Sequence, residues 1–123
     1  MKRLVLKFGG TSIGTIEKIK KVANIIKKKF SEGNEIIVVV SAMSGATDEL
    51  KAKSVLISDN FDNKELDVLF SSGEQVSCSL LAGALIDLGV KARSWLGWQI
   101  PIVTNDNYTS SQIIKIKTDE ILN

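Results

Sequence analysis

Histidine is absent from this chain of 123 residues, and cysteine and proline occur once each. Without histidine, neither imidazole acid–base catalysis nor histidine metal ligation is available. With Cys78 alone, no disulfide can form within the chain, and its apolar surroundings mark it as a small core residue. An excess of charge of one sign is also lacking: 16 Lys and Arg face 14 Asp and Glu, a net charge of +2. Such a balance gives no electrostatic footprint for nucleic acid as a partner. The N-terminus lacks the charged, apolar and small-residue succession of a secretory signal. No apolar run of membrane-spanning length stands out. The expectation is a soluble, cytoplasmic protein with no membrane partner.

Hydrophobic residues make up 44% of the chain, enough for one domain with a core of its own. Residues 3 to 8 read as a strand. Over residues 16 to 31, Ile16, Ile19, Val22, Ala23, Ile26 and Phe30 fall on one helical stripe. The lysines of that segment, Lys18, Lys20, Lys21 and Lys27 to Lys29, read as its solvated face. Thr15 is a candidate N-cap, and Gly33 a stop. The run Ile36 to Val40 is five β-branched residues without alternation, which predicts a strand covered on both faces. Strand, helix and strand form a right-handed βαβ unit.

"SAMSGATDEL" then reads as a loop leading into a helix, and "SDNFDN", residues 58 to 63, as a polar break. Residues 64 to 89 read as a helix, an interruption and a longer, centrally placed helix that begins near Glu74 and stops at Gly89. "VKARSW", "IPIVT" and "SQIIKIK" predict three further strands, with Pro101 at the start of the second. "TDEILN" looks like the first turn of another helix.

In a parallel βαβ unit both strands end at one sheet edge, and a helix preceding a parallel strand starts there too. "KFGGTS", "SAMSGATD" and "SSGEQ" are therefore expected to meet where open α/β sheets bind ligands. Gly9 and Gly10 let a ligand approach the backbone. Their N–H groups, with those of Thr11 and Ser12, can form an anion cradle. Lys7 adds a full positive charge suited to a transferring phosphate. Here the lysine precedes the glycines, unlike a P-loop. A strand-end lysine before a glycine turn also occurs with no ligand at all. Ser41, Ser44 and Thr47 offer hydroxyls, or serve as turn and cap residues. Glu74 is either a carboxylate for a ligand ammonium group or the last member of a capping box from Ser71.

Four stretches in order, "VLKFGGTS", "VVVSAMSGATDEL", "SSGEQVSCSLLAGAL" and "KARSWLGWQIPIVT", resemble the N-terminal part of the aspartokinases, within the amino acid kinase family. The resemblance implies an α/β fold, an αβα sandwich around a mainly parallel sheet, here truncated at the C-terminus. It implies transfer of the ATP γ-phosphoryl group to the β-carboxylate of L-aspartate, which opens lysine, threonine and methionine biosynthesis. Lys7 would stabilise the moving phosphoryl group, and Gly9, Gly10, Thr11 and Ser12 would hold ATP phosphates. Ser41 and Thr47 would contact aspartate, and Glu74 would bind its α-amino group. ATP with Mg2+ is the implied co-substrate, with no metal ligand among the named residues, and a homo-oligomer is the implied assembly. Residues 1–123 would form the substrate- and phosphate-binding part of the kinase domain, with the nucleotide-binding half and the regulatory ACT domains absent. Little activity is expected from the chain alone. The competing readings are a non-catalytic α/β module that binds phosphate or nucleotide, and a different amino acid kinase.

Overall fold

A computed structural model describes residues 1–123. Eight elements follow in order: β1 (Arg3–Phe8), α1 (Ile16–Ser31), β2 (Glu35–Val40), α2 (Ala46–Ile57), α3 (Asn63–Asp87), β3 (Ile102–Thr104), β4 (Ile113–Ile116) and α4 (Asp119–Leu122). β1 and β2 pair in parallel with Arg3 opposite Glu35 and Phe8 opposite Val40, so the expected βαβ unit is present. The chain is α/β, with this parallel pair as the sheet that carries the candidate site.

α1 starts where the sequence placed it. The Thr15 hydroxyl accepts from the Lys18 N–H at 3.2 Å, satisfying one of the free amides of the first turn. Gly33, at φ +86°, turns the chain after the helix in a backbone state that favours glycine. Ile19, Val22, Ala23 and Ile26 are buried, and with Ile13, Leu81, Leu85 and Val90 they form the core. Leu6 and Phe8 of β1 and Ile36, Val38 and Val40 of β2 pack against that core. Helices α1 and α3 therefore share one face of the sheet. On the opposite face Val5 is 65% exposed and Val39 46% exposed. The two-sided cover expected for β2 is thus not supplied within these residues. A run without alternation shows that both faces tolerate apolar residues, not that both are covered here.

α3 differs from expectation more sharply. It runs unbroken for 25 residues, with no interruption at "SSG". Its N-cap is Asp62, whose Oδ1 accepts from the N–H groups of Lys64 at 2.8 Å and Glu65 at 3.2 Å. A strong cap inside "SDNFDN" starts the helix well before Ser71, and Gly73 continues it because the position demands a small residue. α3 is also long and apolar enough to cross a membrane by length and composition, against the expectation of no such run. Its buried stripe of Leu66, Gly73, Ser77, Leu81 and Leu85 packs inside the protein, while Val76, Leu80 and Ile86 lie on the surface. Cys78 is half-buried rather than a core residue, and burial pushes its thiol pKa up.

"VKARSW" forms no strand: residues 90 to 95 run beside β2 without pairing to it. A cleft of about 900 Å³ lies between them, lined by Ile36 to Val40 on one side and by Trp95, Leu96 and Trp98 on the other. Of residues 90 to 95, only Val90 and Trp95 are strand-favouring types, and the segment joins no ladder. "IPIVT" and "SQIIKIK" do yield strands, as the antiparallel pair β3–β4. Their connecting loop is fixed to α3 by the Thr109 N–H, which donates to the Asp67 carboxylate at 2.9 and 3.1 Å.

Candidate active site

Three segments meet at the carboxyl end of β1 and β2, each by a contact that only small groups allow. A Cβ on Gly10 would lie 2.7 Å from the carbonyl oxygen of Ala42. The loop after β1 therefore sits directly on the loop after β2, and the Ser44 N–H donates to the Gly10 carbonyl at 3.1 Å. A Cβ on Gly73 would meet the Ala42 side chain at 3.0 Å, so α3 crosses the same point. One turn further along α3, the buried Ser77 hydroxyl donates to the Ser41 carbonyl at 2.6 Å. The expected convergence is real, but α3 joins it through its middle and not through its N-terminus.

The glycine turn has an uneven hydrogen-bond balance. The Gly9 carbonyl accepts from the Ser12 N–H at 3.1 Å, the Gly10 carbonyl from Ser44, and the Thr11 carbonyl from the Lys18 ammonium at 3.0 Å. The N–H groups of Gly9, Gly10 and Thr11 donate to nothing in the protein. Acceptors are used and donors are free, which is the polarity an anion requires. Nothing lies within 4 Å of the place a Gly9 Cβ would take, so this turn is open on that side. Ser12 does not join the cradle with its N–H, which is committed to Gly9, and offers only its hydroxyl.

Lys7 is exposed on the sheet face away from the core, opposite Val39, and has no ion-pair partner. Ser41 is half-buried at the end of β2. Thr47 is exposed in the first turn of α2, just past Gly45 at φ +84°, and no hydrogen bond ties it to the other loops. Glu74 is exposed in the middle of α3, directly after Gly73, and lines the cleft beside β2. The capping-box role is excluded for it, because the helix begins at Asn63. No group of three acidic or cysteine side chains is placed to hold a metal ion.

Sequence reasoning overlooked Ala42, Gly73, Ser77 and Lys18. Gly73 and Ser77 carried a usable signal, since two small residues four apart on a helix mark a face where backbone can approach. Lys18 was hidden among lysines of the solvated face of α1.

These features define an α/β protein whose glycine turn, at the carboxyl edge of a parallel βαβ unit, leaves three backbone N–H groups without a partner. Residues 2–123 match the profile of the Amino acid kinase family, and the chain belongs to that family. It is 46% identical to the aspartokinase of Geobacillus stearothermophilus over 118 residues, covering 96% of this chain and 29% of that protein. It is 47% identical to an aspartate kinase of Stutzerimonas stutzeri over 121 residues, with 98% and 29% covered. The solved structure of aspartate kinase from Synechocystis aligns with a TM-score of 0.68 at 48% identity, covering 72% of this chain and 15% of that one. The chain thus spans about three tenths of the length of the curated relatives it matches.

Proposed function

We propose that this chain forms the substrate- and phosphate-binding part of an aspartate kinase, with the nucleotide-binding half and any ACT domains lying outside these residues. The reaction transfers the γ-phosphoryl group of ATP to the β-carboxylate of L-aspartate. A carboxylate oxygen attacks the γ-phosphorus, the bond to the β-phosphate oxygen breaks, and ADP leaves with the electron pair. No protein nucleophile is required.

The observation that carries this reading is the turn at Gly9, Gly10 and Thr11, where three carbonyls are engaged and three N–H groups are free. Donors held in place before the reaction stabilise charge on phosphate oxygens without reorganising. Lys7 would supply a full charge for the transferring group, and the Ser12 hydroxyl a further donor. Ser41 and Thr47 would contact aspartate, and Glu74 would pair with its α-amino group. The unpaired, exposed carboxylate of Glu74 next to Gly73 fits that task. Mg2+ would enter on the ATP phosphates, since this chain builds no metal cage of its own. A homo-oligomer is the assembly proposed for the complete enzyme. The free, half-buried Cys78 suits a reducing cytoplasm.

The test is the product. The enzyme containing this chain should form an acyl phosphate from ATP and L-aspartate, trapped as a hydroxamate by hydroxylamine. Hydroxamate from glutamate or acetylglutamate but not from aspartate would move the assignment to another amino acid kinase. No hydroxamate from any of them would favour a non-catalytic binding module.

A further inference from the structure

We propose that Lys18 is a positioning residue for the phosphate-binding turn, acting through the Thr11 carbonyl. This inference rests on the kinase reading of that turn. The Lys18 ammonium donates to the Thr11 oxygen at 3.0 Å, seven residues back along the chain. Two neighbouring carbonyls are held by backbone N–H groups, that of Gly9 by Ser12 and that of Gly10 by Ser44. The Thr11 carbonyl has no backbone donor, and Lys18 is the group that engages it. A peptide unit is planar, so turning one carbonyl also turns the N–H of the following residue. The Thr11–Ser12 unit thus links the Lys18 contact to the Ser12 N–H, which holds the Gly9 carbonyl and with it the orientation of the free Gly10 N–H. With Lys18 bonded, the partial negative charge of the Thr11 carbonyl is neutralised and the turn presents donors.

The position of Lys18 on α1 is itself fixed. Its backbone N–H donates to the Thr15 hydroxyl at the helix N-cap, so the residue that closes the turn also starts the helix. Its side chain is exposed, and the contact adds nothing to core packing. Removing the side chain should therefore disturb anion binding more than folding. Loss of one such hydrogen bond corresponds to a factor of roughly three to ten in affinity.

The experiment compares wild type, Lys18→Met and Lys18→Arg in the enzyme that contains this chain. Lys18→Met keeps the apolar stem and removes the donor, and Lys18→Arg restores a cationic donor. The expected result is an ATP KM raised roughly three- to tenfold in Lys18→Met, an aspartate KM unchanged, an unchanged melting temperature, and recovery in Lys18→Arg. An unchanged ATP KM in Lys18→Met would overturn the proposal. So would equal rises in both KM values, or a rise that arginine fails to reverse. Binding of ATP and of pyrophosphate by calorimetry is read alongside. Weaker binding to Lys18→Met supports the positioning role even where wild type lacks aspartate-dependent turnover, an outcome that would sink the kinase reading alone. Equal binding to wild type and Lys18→Met refutes the positioning role in either case.

Discussion

Ser77, at the centre of α3, donates its hydroxyl to the carbonyl oxygen of Ser41 at 2.6 Å, across 36 positions of sequence. The bond fastens the long helix to the end of β2 and holds Glu74 one turn from the loop that carries Ser41. Ser77 is fully buried, so its partner gains no replacement from solvent on that side. Ser77→Ala should lower stability by about 1 to 3 kcal/mol, the usual cost of stranding one buried polar partner. Thermal unfolding of the enzyme checks the loss, and aspartate KM should rise with it.

The two glycines of the turn separate structure from binding. At Gly10 a Cβ would sit 2.7 Å from the Ala42 carbonyl, a backbone atom that cannot rotate aside, whereas at Gly9 it would meet nothing within 4 Å. Gly10→Ala should therefore lower the melting temperature and disturb the Ala42 loop. Gly9→Ala should leave the stability within about 0.5 kcal/mol of wild type, as for a surface change, yet weaken ATP binding by intruding on the ligand's space. Equal destabilisation of the two variants would contradict this division.

Lys7→Ala removes an exposed charge from a strand end and leaves packing alone. If Lys7 faces the transferring phosphoryl group, kcat should fall about 10² to 10³-fold, as for other aimed donors at a developing anion. Steady-state kinetics with wild-type kcat would remove Lys7 from the mechanism.

Glu74→Gln tests the substrate end. Glutamine preserves the shape and helix propensity of glutamate, and Glu74 caps nothing, since Asp62 starts the helix. The melting temperature should therefore not move. The aspartate KM should rise well beyond the ATP KM if the carboxylate pairs with the substrate ammonium group. Parallel changes in both would assign Glu74 to general loop order.

The βαβ unit was legible because its signals are local. A capped 3.6-residue stripe lies between a short apolar run and a β-branched one, and each part appears where residue type alone places it. The meeting of the glycine turn with the Ser41 loop followed from the rule that parallel strands share an edge. α3 was misread because glycine and paired serines weaken helices in isolation, while Gly73 here makes room for Ala42 and Asp62 caps the helix far upstream. Tertiary contact outweighed local propensity. "VKARSW" makes no ladder with the open edge of β2, and of its six residues only Val90 and Trp95 are strand-favouring types. Lys18 could not be singled out from sequence, because its role depends on a carbonyl left without a backbone donor.

By itself, the 123-residue chain carries more surface than its mass calls for. A compact monomer of 13.4 kDa would expose about 6,500 Å² by the scaling of surface with mass. This chain exposes 8553 Å², with only 13 of its 123 residues buried. The excess of roughly 2,000 Å² is the size of a protein–protein interface. Its location is visible in the unpaired edge of β2, the open sheet face at Val5 and Val39, and the apolar cleft beside Trp95 and Trp98. Unpaired edges of this kind template association. The isolated chain should therefore elute as oligomers in size-exclusion chromatography with light scattering. It should unfold over a broad denaturant range and give no hydroxamate from ATP and aspartate. Covering the same surfaces with the rest of the enzyme should convert that broad transition into a steep one. A monodisperse monomer with one steep transition would show that the exposed edge and cleft are stable in water as they stand.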